Sequence, residues 1–325
     1  MFKISHEVPV ELLEDSLQFN DYEYCLGHLF DKNPKYREFY KKQSAETPER
    51  TMILDNSAYE LGKPMDGMAY LSVISELEPT EYIVPDIRND ADSNLKTMRR
   101  WLKYVDDPIG VTAKLSKTIG VVHGESYEAY CQNYSDIVGL VDKVAFSFED
   151  FFIEWAENES ITLAEARTSI IKEMVEDKII SYMKPHHILG ALSPTEYQAY
   201  CNWGWIETVD TSNPVLHGLL GQQYKGEEGL TEKSSIKLET LIDVKVPKAL
   251  KNIVLFNVKW FREQFKGLDR HSKRVDKERD KVPVDDGTAD YYREFPIETI
   301  ELMRRIYGNE KTADWCEITA FKYRM

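Results

Sequence analysis

The sequence predicts an α/β chain folded as a (β/α)8 barrel, with strands and helices in regular alternation. Three observations lead there. Short apolar runs recur over 23–210, and stretches with helical spacing of apolar residues lie between them. The runs are near-continuously apolar rather than alternating, as in a parallel sheet covered by helices. Several of them end in aspartate or in His-Gly, polar groups of the kind a barrel presents at its C-terminal rim.

In order, Glu23 to Phe30 is the first candidate strand and Met52 to Asp55 the second. Tyr82-Ile83-Val84-Pro85-Asp86 is the third. Ser93 to Val105 then places Leu95, Met98, Trp101, Leu102 and Val105 at helical spacing. Thr118 to Gly124 makes the fourth strand and Lys143 to Phe148 the fifth. Leu163 to Met183 carries a helical stripe through Ala166, Ile170, Ile171, Met174, Val175 and Ile179. His187 to Gly190 is the sixth strand. Pro194 follows at a first helical position, with Ser193 as N-cap. Ile206 to Asp210 is the seventh, and no run reads clearly as the eighth. After Pro214, the residues Gly218, Gly221, Gly226 and Gly229 suggest a long loop over the barrel mouth. Asn252 to Phe265 reads as a helix, Pro283 to Gly287 as a linker and Ile297 to Tyr307 as a last helix. The expected organisation is a barrel over 1–250 and a helical, partly basic extension over 251–325.

At 325 residues the chain suits one large domain with an appendage. Hydrophobic residues make up 42% and charged residues 30%, with no run near the roughly 20 apolar residues of a membrane span. The N-terminus lacks a signal-peptide layout. Cys25, Cys131, Cys201 and Cys316 are too scattered for a disulfide framework or a CxxC knuckle. A cytoplasmic, soluble protein with no membrane partner is expected. The net charge of −15 opposes a surface coated for non-specific nucleic-acid binding. One basic run stands against it from Lys259 to Lys281, containing Arg262, Lys266, Arg270, Lys273, Arg274, Lys277 and Arg279. It is either a solvated helix face or a phosphate-contacting element with salt-dependent binding. Arg99, Arg100 and Lys103 carry the same two readings.

The strand ends supply Asp55, Asn56, Asp86, His123, Gly124, Gly190 and Asp210. Any one of them alone is explained by a helix cap or a turn. Together they fit a convergent mouth, and a pair of carboxylates there is the usual equipment for cleaving a bond to a sugar. His186 and His187 lack a third ligand at metal spacing. Trp101, Trp155, Trp203, Trp205 and Trp260 read as packing, and Cys131 and Cys201 as buried thiols.

Leu54-Asp55-Asn56-Ser57-Ala58-Tyr59 resembles the Asp-Ser-Gly-Gly-aromatic segment of tRNA-guanine transglycosylases. Gly120-Val121-Val122-His123-Gly124 resembles their Gly-Ile-Val-Gln-Gly. His187-Ile188-Leu189-Gly190-Ala191 with Ser193-Pro194 is similar to their Leu-Met-Gly-Val-Gly…Pro element. Val209-Asp210-Thr211-Ser212-Asn213-Pro214 falls where they carry Phe-Asp-Cys…Pro. The order agrees over roughly 20–225. The tRNA enzymes add a zinc site built from Cys-x-Cys-x-x-Cys and a His; this chain has no such cluster, so no zinc subdomain and no metal are expected. With Ser57, Ala58 and His123 in place of the family's Gly, Gly and Gln, the chain looks more like the short phage-encoded enzymes that exchange guanine in DNA for a 7-deazaguanine.

That resemblance implies roles. Asp210 would be the nucleophile and Asp55 the acid/base, in a retaining double displacement with a nucleobase as second acceptor. Asp86 would bind the Watson–Crick edge of guanine, whose N–H donors match a carboxylate. Asn56, His123, Gly124, Leu189 and Gly190 would complete the base pocket, with Tyr59 stacking on the base. The target nucleotide would have to leave the duplex stack, with Arg270, Lys273, Arg274 and Lys277 holding the backbone. The implied partners are DNA, with tRNA as the alternative, and a 7-deazaguanine base such as preQ0. No cofactor is implied, and a homodimer is an open alternative. Three further readings stand beside this one: a zinc-less tRNA transglycosylase, a non-catalytic nucleic-acid-binding subunit, and a barrel glycosidase.

Overall fold

The computed structural model describes residues 2–105, 116–201, 203–224 and 236–279, of which 265–279 are described as backbone. Eight parallel strands form a nearly closed barrel. They are β1 (Lys3–Ser5), β2 (Glu23–Leu26), β3 (Met52–Asp55), β4 (Glu81–Ile83), β5 (Lys117–Val122), β6 (Lys143–Phe146), β7 (His186–Ile188) and β8 (Ile206–Asp210). β1 lies beside β8, and the order then runs consecutively back to β2. The helices are α1 (Leu13–Ser16), α2 (Gly27–Lys32), α3 (Pro34–Glu46), α4 (Ala58–Leu61), α5 (Gly67–Leu77) and α6 (Ala91–Val105). They continue as α7 (Tyr127–Ile137), α8 (Phe151–Glu159), α9 (Leu163–Glu176), α10 (Pro194–Tyr200), α11 (Asn213–Leu219) and α12 (Lys248–Arg279).

The strand missing from the sequence reading is β1. Its three residues include a single apolar one, Ile4, so no run announces it. Each candidate strand therefore moves up by one: the run at 23–30 is β2, and the seventh is β8. The seam between β1 and β2 is closed by side chains in place of a strand ladder. The Ile4 N–H donates to Asp21 Oδ2 at 2.9 Å, the Asp21 N–H to the Ile4 carbonyl at 3.0 Å, and the His6 N–H to Asn20 Oδ1 at 2.7 Å. Arg262 on α12 clamps the junction, with Nη2 2.6 Å from both Asp21 carboxylate oxygens. One member of the supposed basic run thus has a structural role.

Strand side chains alternate between the two faces of the wall. Tyr24, Asp55, Ile83, Val121, Ser147, Leu189 and Asp210 face a cavity at the C-terminal ends of the strands. One pleat below, the same face carries Ile53, Glu81, Ile119, Ala145, His187 and Thr208. The opposite face carries buried Ile4, Cys25, Leu54, Tyr82, Val122, Val144, Phe146, Ile188 and Val209, which pack under the helices. The inner face is more polar than the apolar runs suggested. Buried Lys143 lies 2.6 Å from Glu81 Oε2 and 3.0 Å from Glu207 Oε2, a pairing without which its charge would be prohibitive there.

Further differences are local. Phe151–Glu159 forms a helix around Trp155, whose place in a helical stripe the sequence suggested without bounds, and α9 stops at Glu176 rather than running to Met183. Asn213–Leu219 is helical where a loop was expected; Gly226 and Gly229 lie outside the described residues. Cys201 is half-buried, unlike Cys131. The chain divides into two compact units, Met1–Gln264 and Phe265–Met325. Val254, Val258 and Phe261 of α12 are buried in the first unit. The linker at 283–287, the helix at 297–307 and Cys316 lie outside the described residues. So do the side chains of Arg270, Lys273, Arg274 and Lys277, whose backbone belongs to α12. Among the described residues no helix is long and apolar enough to cross a membrane.

Candidate active site

The cavity at the barrel mouth has a volume of about 570 Å³ and is walled by residues of β2, β3, β4, β5 and β8 and by residues that follow β1, β6 and β7. Asp55, Asp86, His123, Leu189, Gly190 and Asp210 all line it, as does Tyr59. Four of the expected side chains, from β3, β8 and the loops after β4 and β5, therefore meet in one space, as convergence of strand ends requires.

Asp55 ends β3. Its Oδ2 accepts from Tyr24 Oη at 2.5 Å and its Oδ1 from the Ser57 N–H at 2.6 Å. Ser57 has a φ of 62°, a left-handed conformation that costs a non-glycine residue energy and here turns its N–H back onto the carboxylate. Burial pushes the Asp55 carboxyl well above the ordinary carboxylate range, and nearby Glu60 adds to the rise. The two hydrogen bonds only partly offset it. A carboxyl in that condition holds a proton it can deliver.

Asp210 ends β8 and is held differently. Its Oδ1 accepts from His187 Nε2 at 3.0 Å, and the Gly190 N–H lies 3.1 and 3.0 Å from its two oxygens. Gly190 has a φ of 56°, a backbone conformation open to glycine that aims its N–H at the carboxylate. His187 Nδ1 contacts Thr208 Oγ1 at 2.9 Å, and Lys143 Nζ lies 3.5 Å from that hydroxyl. A carboxylate oxygen only accepts, so His187 carries a proton on Nε2, facing Asp210, while Nδ1 shares a hydrogen bond with the Thr208 hydroxyl. The rings of Tyr24 and His187 stack at 5.9 Å and 13°, so the supports of the two aspartates pack on each other.

The third carboxylate, Asp86, is clamped from behind. Asn56 Nδ2 donates to its Oδ1 at 2.6 Å and His123 Nε2 to its Oδ2 at 2.5 Å. His123 Nδ1 donates in turn to Glu149 Oε1 at 2.8 Å. Burial alone would make His123 harder to protonate. Glu149 and Asp86 reverse this and raise its pKa to about 9, while His123 holds the Glu149 carboxyl below its ordinary value despite burial. The trio is an imidazolium between two carboxylates, with both its N–H groups engaged.

This geometry redistributes the expected roles. Asn56 is fully buried and is absent from the cavity wall; it orients Asp86 and accepts from the Ala58 N–H at 2.9 Å. Gly124 also stays out of the wall. A Cβ there would come within 2.5 Å of the Tyr130 backbone nitrogen, so its glycine lets α7 approach. Tyr59 stands at the mouth with Arg88 and Lys237 each 5.2 Å from its ring centroid, in competition with a stacked base.

Several contributors escaped the sequence reading. His187 was set aside as one of a pair, yet neighbours on a strand face opposite ways. His186 packs outside against Tyr134, Phe146 and Trp205, while His187 shares the inward parity of Leu189. Glu149 could have been suspected from its place just past the β6 strand end. Arg167 of α9 carried no signal. It is fully buried, pairs with Glu196 at 2.6 Å, and donates to the Leu189 carbonyl at 2.5 Å and the Gly190 carbonyl at 3.4 Å. It therefore fixes the loop that grips Asp210. Among the described residues no group of three or more His, Cys, Asp or Glu side chains is arranged to hold a metal ion.

Comparison of the chain with protein-family models and with curated proteins finds no match.

Proposed function

We propose that the cavity exchanges a purine base on a nucleic acid, as a DNA-guanine transglycosylase that inserts a 7-deazaguanine such as preQ0. The observation that carries this reading is the unlike pair of carboxylates in one cavity. Asp55 is half-buried, with its pKa driven up chiefly by desolvation, whereas Asp210 is faced by N–H donors that suit an anion. A carboxyl driven up beside one whose oxygens N–H donors already face divides the pair into acid and nucleophile. Asp210 attacks the anomeric carbon as the bond to the guanine nitrogen breaks, and Asp55 gives its proton to the departing base. The incoming base then loses its proton to Asp55 and attacks the same carbon, releasing Asp210 and retaining the configuration. Asp86, held by Asn56 and His123, presents its remaining lone pairs to the N–H donors of guanine. DNA is favoured over tRNA by the absence of the cysteine zinc cluster that the resembling tRNA enzymes carry.

Asp210→Asn is expected to abolish both base exchange and the covalent protein–sugar adduct, read by mass spectrometry of the denatured complex. Asp55→Asn is expected to slow exchange by roughly 10²–10⁴-fold, the usual range for losing a general acid. Full activity in Asp210→Asn sinks the mechanism. The polymer is decided by nucleoside analysis of DNA and tRNA from cells that express the chain with a 7-deazaguanine supply. Label in tRNA alone would reject the DNA reading.

A further inference from the structure

The base-exchange chemistry leaves two basic side chains at the cavity mouth without a role. Arg88, in the loop after β4, and Lys237, which caps the short 3₁₀ turn Leu238–Leu241, each hold their cationic group 5.2 Å from the Tyr59 ring centroid. Tyr59 is 47% exposed, and all three residues line the cavity. Both cations are anchored on neutral acceptors: Arg88 donates to the Phe148 carbonyl at 3.4 Å and Lys237 to the Glu60 carbonyl at 3.2 Å. Among the described residues neither reaches a carboxylate at ion-pair distance. Yet the same wall carries Glu7, Glu60, Asp86, Asp210 and Glu239, in a chain of net charge −15.

The charge is therefore segregated, acidic over much of the wall and basic around Tyr59. A nucleotide offered to that field enters base first, because its phosphate is repelled by the carboxylates and drawn to the two cations. A guanidinium matches two phosphate oxygens at once, and an ammonium adds a point charge beside it. Contact with the aromatic ring restrains both long side chains before the ligand arrives, which lowers the ordering cost of binding.

We propose that Arg88 and Lys237, braced on Tyr59, grip the phosphodiester beside the nucleotide whose base occupies the cavity, with DNA as the polymer. This rests on the base-exchange reading and assigns its polymer contact to the barrel rim.

The test measures affinity of the full chain for a fluorescein-labelled DNA duplex carrying one unpaired guanine, over a series of salt concentrations, with labelled tRNA as a parallel arm. Arg88→Ala with Lys237→Ala is expected to reduce the slope of log affinity against log salt by about 1.8, since each phosphate contact on duplex DNA contributes about 0.9. The charge-keeping pair Arg88→Lys with Lys237→Arg is expected to retain the wild-type slope. A reduced slope with tRNA and none with DNA overturns DNA as the polymer. An unchanged slope in the double alanine variant, in a wild-type chain that exchanges labelled guanine, overturns the rim assignment and leaves the chemistry standing. Loss of the base-exchange reading is seen separately, as no exchange by the wild-type chain.

Discussion

At the residue scale the site depends on how differently two aspartates are housed. Asp55 is kept protonated by desolvation and by Glu60, so the proposed exchange draws on a carboxyl that ionises far above its ordinary range. The rate is expected to fall as pH rises through that raised pKa. Glu60→Gln removes the neighbouring charge, lowers the pKa and shifts the alkaline limb to lower pH. The same shift acts on stability with a definite sign. Between the ordinary carboxylate value and the raised one, the folded chain holds a proton that the unfolded chain has released, so stability falls as pH rises across that window. Thermal melts of Asp55→Asn are expected to be flatter over the window than those of the wild type. A pH–rate profile unmoved by Glu60→Gln would remove Glu60 from this account. Asp55, Asp86, His123 and Asp210 were legible in the sequence because each follows an apolar run. Tyr24 and His187 were not, because they lie within such runs and strand parity alone turns them inward.

At the element scale, the loop from Leu189 to Leu192 joins β7 to α10 and carries the Gly190 N–H that Asp210 needs. Buried Arg167 and Glu196 hold it, Arg167 through the Leu189 and Gly190 carbonyls and Glu196 through the Leu192 N–H at 2.6 Å. Arg167→Ala strands a buried carboxylate and is expected to cost about 3–5 kcal/mol in urea unfolding. The pair Arg167→Met with Glu196→Leu replaces the ions by apolar bulk and is expected to recover most of that loss. It still leaves the loop carbonyls without their donor, so exchange is expected to stay slow while stability returns. Wild-type exchange in the double variant would limit Arg167 to a folding role. A helix stripe could not reveal this residue, since an arginine among Ala166, Ile170 and Ile171 reads from sequence as a solvated edge.

At the scale of the whole molecule, the barrel is closed by a junction that no periodicity could announce. Hydrophobic runs made seven strands legible; the eighth, β1, depends on pairing with β8 at the other end of the barrel unit and on two polar residues before β2. Asn20 and Asp21 take the place of a ladder, and Arg262 secures Asp21 from α12, 241 positions away in sequence. The carboxylate of Asp21 serves the Ile4 N–H and the guanidinium together, so removing it leaves both without their acceptor. Hydrogen bonds to charged groups contribute about 1.5–3 kcal/mol each, and partial exposure of this pair places the expected loss for Asp21→Ala near the lower end of that range. The loss should be directional. Because β1 is joined to the barrel by β8 on one side and by this junction on the other, hydrogen exchange in Asp21→Ala is expected to accelerate first at Ile4 and His6, before the β4–β6 ladder. Arg262→Ala should reproduce the pattern more weakly, since the Asp21 carboxylate still accepts from the Ile4 N–H. Uniform acceleration across all eight strands would mean that the junction opens only with global unfolding, and that the barrel closes as one cooperative unit.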